Sequence, residues 1–284
     1  MRKLIINADD FGLHPAVNQG IIDGYKFGCL TSTSIMACGK TFDAAVEQAI
    51  GQPGLGVGVH LTLVAEQPLT DARKVPSLVD ADGRFPDSYP LVMTRFFRRK
   101  ISLNEVYLEL RAQVKKAAAS GLQLTHLDSH QHLHVLPGII DIVLSLAREF
   151  SIKAIRIPAE PFLFTGGYPF SAGRMIGRSG LSVFALLARR KARRQGIRVP
   201  DHFFGMLAGG HLEEKYLLKI LDKLPNGVSE IMMHPGCDDA ALKAAYNWQL
   251  SWQAELAAAK STEVRYQLDN RGIELVSFKE LANG

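Results

Sequence analysis

The 284-residue chain has little cysteine: Cys29, Cys38 and Cys237 are the only three, and none forms a CxxC pair. That excludes a disulfide scaffold and a CxxC-based zinc or redox centre, and it points to a reducing compartment. Long apolar runs are also missing. The best, roughly Leu181 to Ala188, falls far short of the ~18 residues a membrane span needs. The opening MRKLIINADDFG has only three consecutive apolar residues before its acids, so no secretory signal is expected and a cytoplasmic location is. There is no internal repeat and no low-complexity tract. Net charge is only +5, from 33 basic and 28 acidic residues, too little to imply a nucleic-acid partner.

Short β-branched runs alternate with longer helical patterns. Strands are expected at 4–8, 31–38, 56–63, 123–130, 153–158, 229–234 and 272–278. Helices fit at 15–27, 42–50, 103–120, 137–150, 213–223 and 248–261. Such alternation builds βαβ units on a mainly parallel sheet. The leading architecture is a single-domain α/β barrel of distorted TIM-like (β/α) type spanning 1–284; a doubly wound open sheet is the second choice. Two stretches, about 66–100 and 160–205, break the rhythm and read as insertions.

Six of the nine histidines fall at expected strand ends or just beyond: His60, His126, His130, His132, His134 and His234. In parallel α/β folds the loops after strand C-termini build the site, so this grouping points to chemistry, together with Asp9, Asp10 and Asp128. Adjacent residues at a strand exit point in different directions, so one of Asp9 and Asp10 can ligate a cation while the other handles a water. A bare Asp-Asp pair also suits a cap for the helix near Pro15. In GVGVHLTL, strand alternation puts Gly56, Gly58 and His60 on one face. The two missing side chains leave room for an ion, a substrate or another backbone. In THLDSHQHLH, His126 and His130 lie roughly 13 Å apart if the strand continues, too far to share one ion. The rim position makes His130 the ligand and leaves His126 as buried structure, with Asp128 as support behind the ligands. His132 and His134 then meet substrate or orient the ligands. His234 at the end of IMMHPG suits a general acid, and Arg156 can hold a carboxylate ionised and oriented.

Taken together, N-A-D-D-F-G (7–12), G-x-H-L-x-L (58–63), T-H-x-D-S-H-x-H-x-H (125–134), R-x-P-x-E (156–160), P-D-H-F (200–203) and M-x-H-P-G (232–236) resemble the YdjC-like carbohydrate deacetylases, which include the chitooligosaccharide deacetylases. The segment P-S-L-V-D-A-D-G-R-F-P (76–86) looks most like the hopanoid-biosynthesis-associated branch. The resemblance implies removal of an N-acetyl group from an N-acetylglucosamine-type sugar, in that branch on a glycosylated hopanoid lipid. It implies one divalent metal ion, Zn or Mg foremost, held by Asp10, His60 and His130. Asp9 then matches the general base, His234 the general acid and Arg156 an arginine beside the base. Asp128, His132, His134 and His202 are left for substrate binding or support. An acetylated sugar or glycolipid is the expected partner, with a homodimer as an option. The rival readings are another metal-dependent hydrolase, a phosphoesterase or cyclic amidase, and a non-catalytic sugar- or lipid-binding barrel.

Charge is unevenly distributed. Residues 171–200 hold Arg174, Arg178, Arg189, Arg190, Lys191, Arg193, Arg194 and Arg198 and no acid, leaving the rest of the chain at −3. A basic amphipathic segment of this kind fits peripheral contact with the inner membrane surface as well as an ordinary solvated helix face. RFFRRK at 95–100 can belong to the same face.

Overall fold

Eight strands, every pair of them parallel, form one curled sheet in a computed structural model that describes residues 1–169 and 172–283, apart from the side chains at 172, 176 and 178. Ser171 and the side chain of Arg178, both in the basic segment, lie outside the described residues. The first half of the chain runs β1 (Arg2–Phe11), α1 (Pro15–Phe27), β2 (Ser32–Ile35), α2 (Phe42–Ile50), β3 (Gly56–Leu61), α3 (Tyr89–Phe97), α4 (Leu103–Ala119), β4 (Leu124–Ser129) and α5 (Ile139–Glu149). The second half follows with β5 (Ala154–Ile155), α6 (Ala172–Arg194), β6 (His202–Phe204), α7 (Glu214–Asp222), β7 (Gly227–Met233), α8 (Asp239–Ala245), α9 (Trp252–Ala259), α10 (Thr262–Asn270), β8 (Ile273–Leu275) and α11 (Phe278–Asn283).

The sheet order is β5-β4-β3-β2-β1-β7-β6, with β8 added beside the first residues of β1. Between β5 and β6 the wall is joined through a bridge from Ala154 to Arg198, which makes this a distorted TIM-like barrel. Strand alternation divides the side chains between two environments. Leu4, Ile6, Ala8, Ile35, Val57, Ile231 and Met233 face the helices in one apolar cluster, and Val59, Leu61, Leu127 and Ile155 face them in a second. Ile5, Ala154, Val276 and Phe278 form a third, small cluster. Buried polar groups then occupy the other faces: Asn7 on β1, Ser34 on β2, His60 on β3, Asp128 on β4 and Glu230 on β7.

Helix boundaries follow local chemistry. α1 starts at Pro15, where a missing N–H costs nothing, and the His14 ring accepts from Ala16 N–H. The first excursion folds as a short helical turn at 72–74 followed by α3, and the second carries α6. The structure adds one strand that no periodicity announced: β6, three residues long, inside the stretch read as insertion.

Candidate active site

A bulge brings the two adjacent aspartates together. The β1–β2 register shifts between Ala8 and Phe11, and Asp10 adopts a left-handed backbone with φ 68°. Regular alternation sends neighbours to opposite faces; the bulge re-aims Asp10 instead. The carboxylates therefore converge rather than diverge as expected: His60 Nε2 lies 3.3 Å from Asp10 Oδ1 and 3.9 Å from Asp9 Oδ2. Gln131 and His132, which line the same cleft, also hold the strain of a non-glycine residue at positive φ, at 54° and 59°. Those two turn the chain after β4 so that His130 Nδ1 comes 3.0 Å from Asp10 Oδ1.

Asp10, His60 and His130 each offer one ligand atom within 4.8 Å of the others, all three buried. His60 Nδ1 shares a proton with Asp128 Oδ1 at 2.8 Å, which leaves Nε2 free toward the aspartates. This is the carboxylate–histidine arrangement that fixes ring orientation behind a metal. Asp10 Oδ2 and His130 Nε2 are buried with no hydrogen-bond partner among the described residues. Orphaned donors and acceptors of this kind are costly unless something else binds them. The charge balance agrees: Asp9, Asp128 and Glu230 are buried around one guanidinium, and Asp10 is buried beside them against His60 and His130. The residues present fit a divalent cation. Asp9, His60 and Asp128 form a second such group, but both Asp128 oxygens are engaged, Oδ1 by His60 and Oδ2 by Ser34 Oγ at 2.7 Å and Arg156 at 2.8 Å.

Arg156, which follows β5, is completely buried. Its guanidinium donates to both oxygens of Asp9 at 2.6 Å, to Asp128 at 2.8 Å and, through Nε, to Glu230 at 2.6 Å. It is a clamp inside the barrel, well beyond an ordinary rim salt bridge. Asn7 Nδ2 adds a third hydrogen bond to Asp9 at 2.9 Å. His134 braces the clamp: its Nε2–H donates to the Arg156 carbonyl at 2.9 Å, while Nδ1 meets Ser129 Oγ at 2.7 Å.

Electrostatics follow from this packing. Burial opposes ionisation of Asp10, but His130 and His60 outweigh it and hold the carboxyl well below the usual carboxylate range. Burial likewise opposes a charge on His60, yet Asp128 and Asp9 lift it to about 10. Burial pushes Glu230 up to about 7 against the pull of Arg156. His126 and His134 are driven down to about 3 and about 4, burial being the main cause in both.

A cleft of about 360 Å³ opens over these groups, lined by Asp9, Asp10, His60, His130, Gln131, His132, Met206, Met232, His234 and Trp248 among others. His234 sits just past β7; its backbone N–H donates to the buried Glu255, whose carboxylate is 3.9 Å from His234 Nδ1. Trp248 stacks on His130 at 5.2 Å and on Tyr246 at 4.8 Å between ring centroids. A larger cavity of about 730 Å³, lined by Lys3, Arg198, Asp201 and Glu280, holds none of these histidines.

Two expectations need correction. The space left by Gly56 and Gly58 holds no ion or substrate. A Cβ at Gly58 would lie 2.4 Å from the His126 ring, which itself stacks 3.7 Å from Phe278, and a Cβ at Gly56 would meet Ser32 and Ser277. Gly58 makes room for a buried histidine, and Gly56 for the close approach of Ser32 and Ser277. His202 is not brought to the cleft: it starts β6, pairs with Ser229 early in β7, and its ring meets the Asn226 carbonyl at 3.2 Å. It is therefore at the strand end opposite His234. Asn7, Ser34, Glu255 and Trp248 were missed, and Glu230 was given no role. Of these, Asn7 stood in the N-A-D-D-F-G motif without a role, and Glu255 left a trace as an acid inside the apolar helix α9.

Fold and site thus define an α/β barrel with an Asp-His-His group suited to a cation at the C-terminal end of its parallel strands. The family described as YdjC-like protein matches residues 3–270, and the chain belongs to that family. A relative from Brevibacillus brevis, named carbohydrate deacetylase, is 34% identical over 98% of this chain and 99% of its own length. A second so named, from Enterococcus faecalis, is 32% identical over 99% of this chain and 98% of its own. A crystal structure from Enterococcus faecalis, named for a proposed cellobiose-phosphate cleavage, superposes with a TM-score of 0.77 at 32% identity, covering 99% of both chains.

Proposed function

We propose that this chain is a divalent-metal-dependent deacetylase that removes the N-acetyl group from an N-acetylglucosamine-type sugar. The observation that carries the reading is the Asp10–His60–His130 group with Asp9 beside it and His234 in the same cleft. Pure binding needs no such separated base and acid. A cation held by Asp10, His60 and His130 would supply Lewis acidity at the acetamide carbonyl; two imidazoles and a carboxylate suit Zn, with Mg as the alternative.

The remaining work belongs to the protein. Asp9, its plane fixed by the Arg156 fork and Asn7, takes the proton from the attacking water. His234 gives a proton to the departing amine, and Glu255 positions it through the backbone N–H. Trp248 presents an aromatic surface on which a sugar ring can stack, with Gln131 and His132 completing the wall. Resemblance of 76–86 to the hopanoid-associated branch extends the substrate to an acetylated sugar carried on a hopanoid lipid.

The test is acetate release from chitooligosaccharides and from acetylated glycolipids, with metal content measured in parallel. Asp10→Ala loses bound metal; Asp9→Asn keeps it and loses turnover. Near wild-type rates in Asp9→Asn would refute the base assignment. Phosphate release from sugar phosphates without acetate release would move the protein to the phosphoesterases.

A further inference from the structure

We infer that the face formed jointly by the two insertions docks on an anionic lipid surface. It lies outside the cleft, and the inference is independent of the deacetylase reading. Helix α6 is apolar on two sides. Leu181, Ala185, Ala188 and Ala192 are buried against the barrel. Val183, Leu186 and Leu187, at i, i+3 and i+4, point outward and are 42–52% exposed. A helix packed on one side only has no reason to present a second apolar stripe to water.

That stripe is continued from the other insertion. Phe97, at the end of α3, is 61% exposed and lies 6.4 Å from the Phe184 ring. Arg98, Arg99 and Lys100 follow it directly and are exposed; Arg190 and Arg194 extend the α6 stripe at helical spacing and are exposed too. None of these five cations has an acidic partner among the described residues, whereas Lys191 and Arg193 are paired to Asp141 and Asp201. No acid occurs in 88–102 or 171–200. Aromatic and aliphatic side chains flanked by unpaired cations match the headgroup–acyl boundary of an anionic bilayer. The charge also decides against a second copy, since a twofold contact would set these five unpaired cations against their own copies. No described helix is long and apolar enough to cross a membrane, so α6 would lie in the surface plane.

Sedimentation of the full chain with vesicles tests this. Binding is expected to phosphatidylglycerol–phosphatidylcholine vesicles at low salt, to fall steeply with added salt, and to be absent on phosphatidylcholine alone. At about fivefold per cation, Arg98→Gln with Arg99→Gln weakens partitioning by roughly 20- to 30-fold. Phe97→Ser with Leu187→Ser weakens it as well, with an unchanged melting temperature showing that the fold persists. The inference is overturned by no phosphatidylglycerol-dependent binding at low salt. It is equally overturned if both double variants bind like wild type, or if light scattering shows a dimer that Phe97→Ser with Leu187→Ser dissociates.

Discussion

Replacing Arg156 by Met tests whether the interior of this barrel is held together by charge. The substitution keeps a long apolar stem but removes the only guanidinium that faces Asp9, Asp128 and Glu230 among the described residues. Breaking a buried ion pair costs about 3–5 kcal/mol, and one escape sets a ceiling. A deserted aspartate can take up a proton, at a cost near pH 7 of roughly three pKa units, or about 4 kcal/mol. Glu230, already at about 7, gives up its charge almost freely. The expected loss is therefore about 4 kcal/mol for the first aspartate, a large part of the roughly 5–15 kcal/mol that holds a domain folded. The sign with pH follows. The folded variant now binds a proton that its unfolded chain, with an aspartate near 3.9, does not bind, so its deficit shrinks on acidification. Between pH 7 and 5.5 the gap to wild type narrows by about 2 kcal/mol. Urea unfolding of both proteins at several pH values, in chelator so that no cation compensates, measures this. A deficit below about 1 kcal/mol at pH 7, or one that does not change with pH, would refute the reasoning.

Other outcomes follow from the same geometry. Buried and held near 3 and 4, His126 and His134 stay neutral in the folded chain while the unfolded chain protonates them near 6.5. Their stabilisation is present above pH 6.5 and lost below it, about 2 kcal/mol each by pH 5; because Glu230 gains over the same window, the check is the difference in urea stability between wild type and His126→Gln, and a difference that does not change between pH 7 and 5 contradicts it. Gly58→Ala drives a methyl into the His126 ring, pinned by Phe278. Overpacking of this kind costs about 1–3 kcal/mol, to be read as a lowered melting temperature, and an unchanged one argues that His126 is free to move. Trp248→Ala removes the aromatic surface beside His130 and raises KM about tenfold for oligosaccharide substrates, with metal content unchanged; an unaltered KM places the sugar elsewhere.

Much of the frame was legible in the chain. α1 and α2 end where their periodicity and glycines end, at Phe27 and Ile50. The alternation in GVGVHL and LTHLDS correctly set His60 and Asp128 on faces that meet, 2.8 Å apart. β5 shrank to two residues and β6 went unseen, because strands that short carry no detectable period. The site was legible in part. Asp10, His60 and His130 are brought together, and His132, His134, Asp128, Asp9, Arg156 and His234 lie around them. His202 fell outside, because neighbouring motifs in sequence need not sit at the same strand end.

What the sequence by itself determined is composition at fixed spacing: which residues alternate along each strand, where helices start and stop, and which segments hold no acid. These are local properties, decided over a few residues by sterics and periodicity. Only the tertiary structure decided convergence. It took a bulge at Asp10 to point two adjacent carboxylates at one histidine, a ring from β4 to fill the space Gly58 left, and a contact between Phe97 and Phe184, 87 residues apart, to join two basic segments into one face. Such meetings depend on the path of the whole chain, because the free energy that brings distant groups together comes from burying the surface between them.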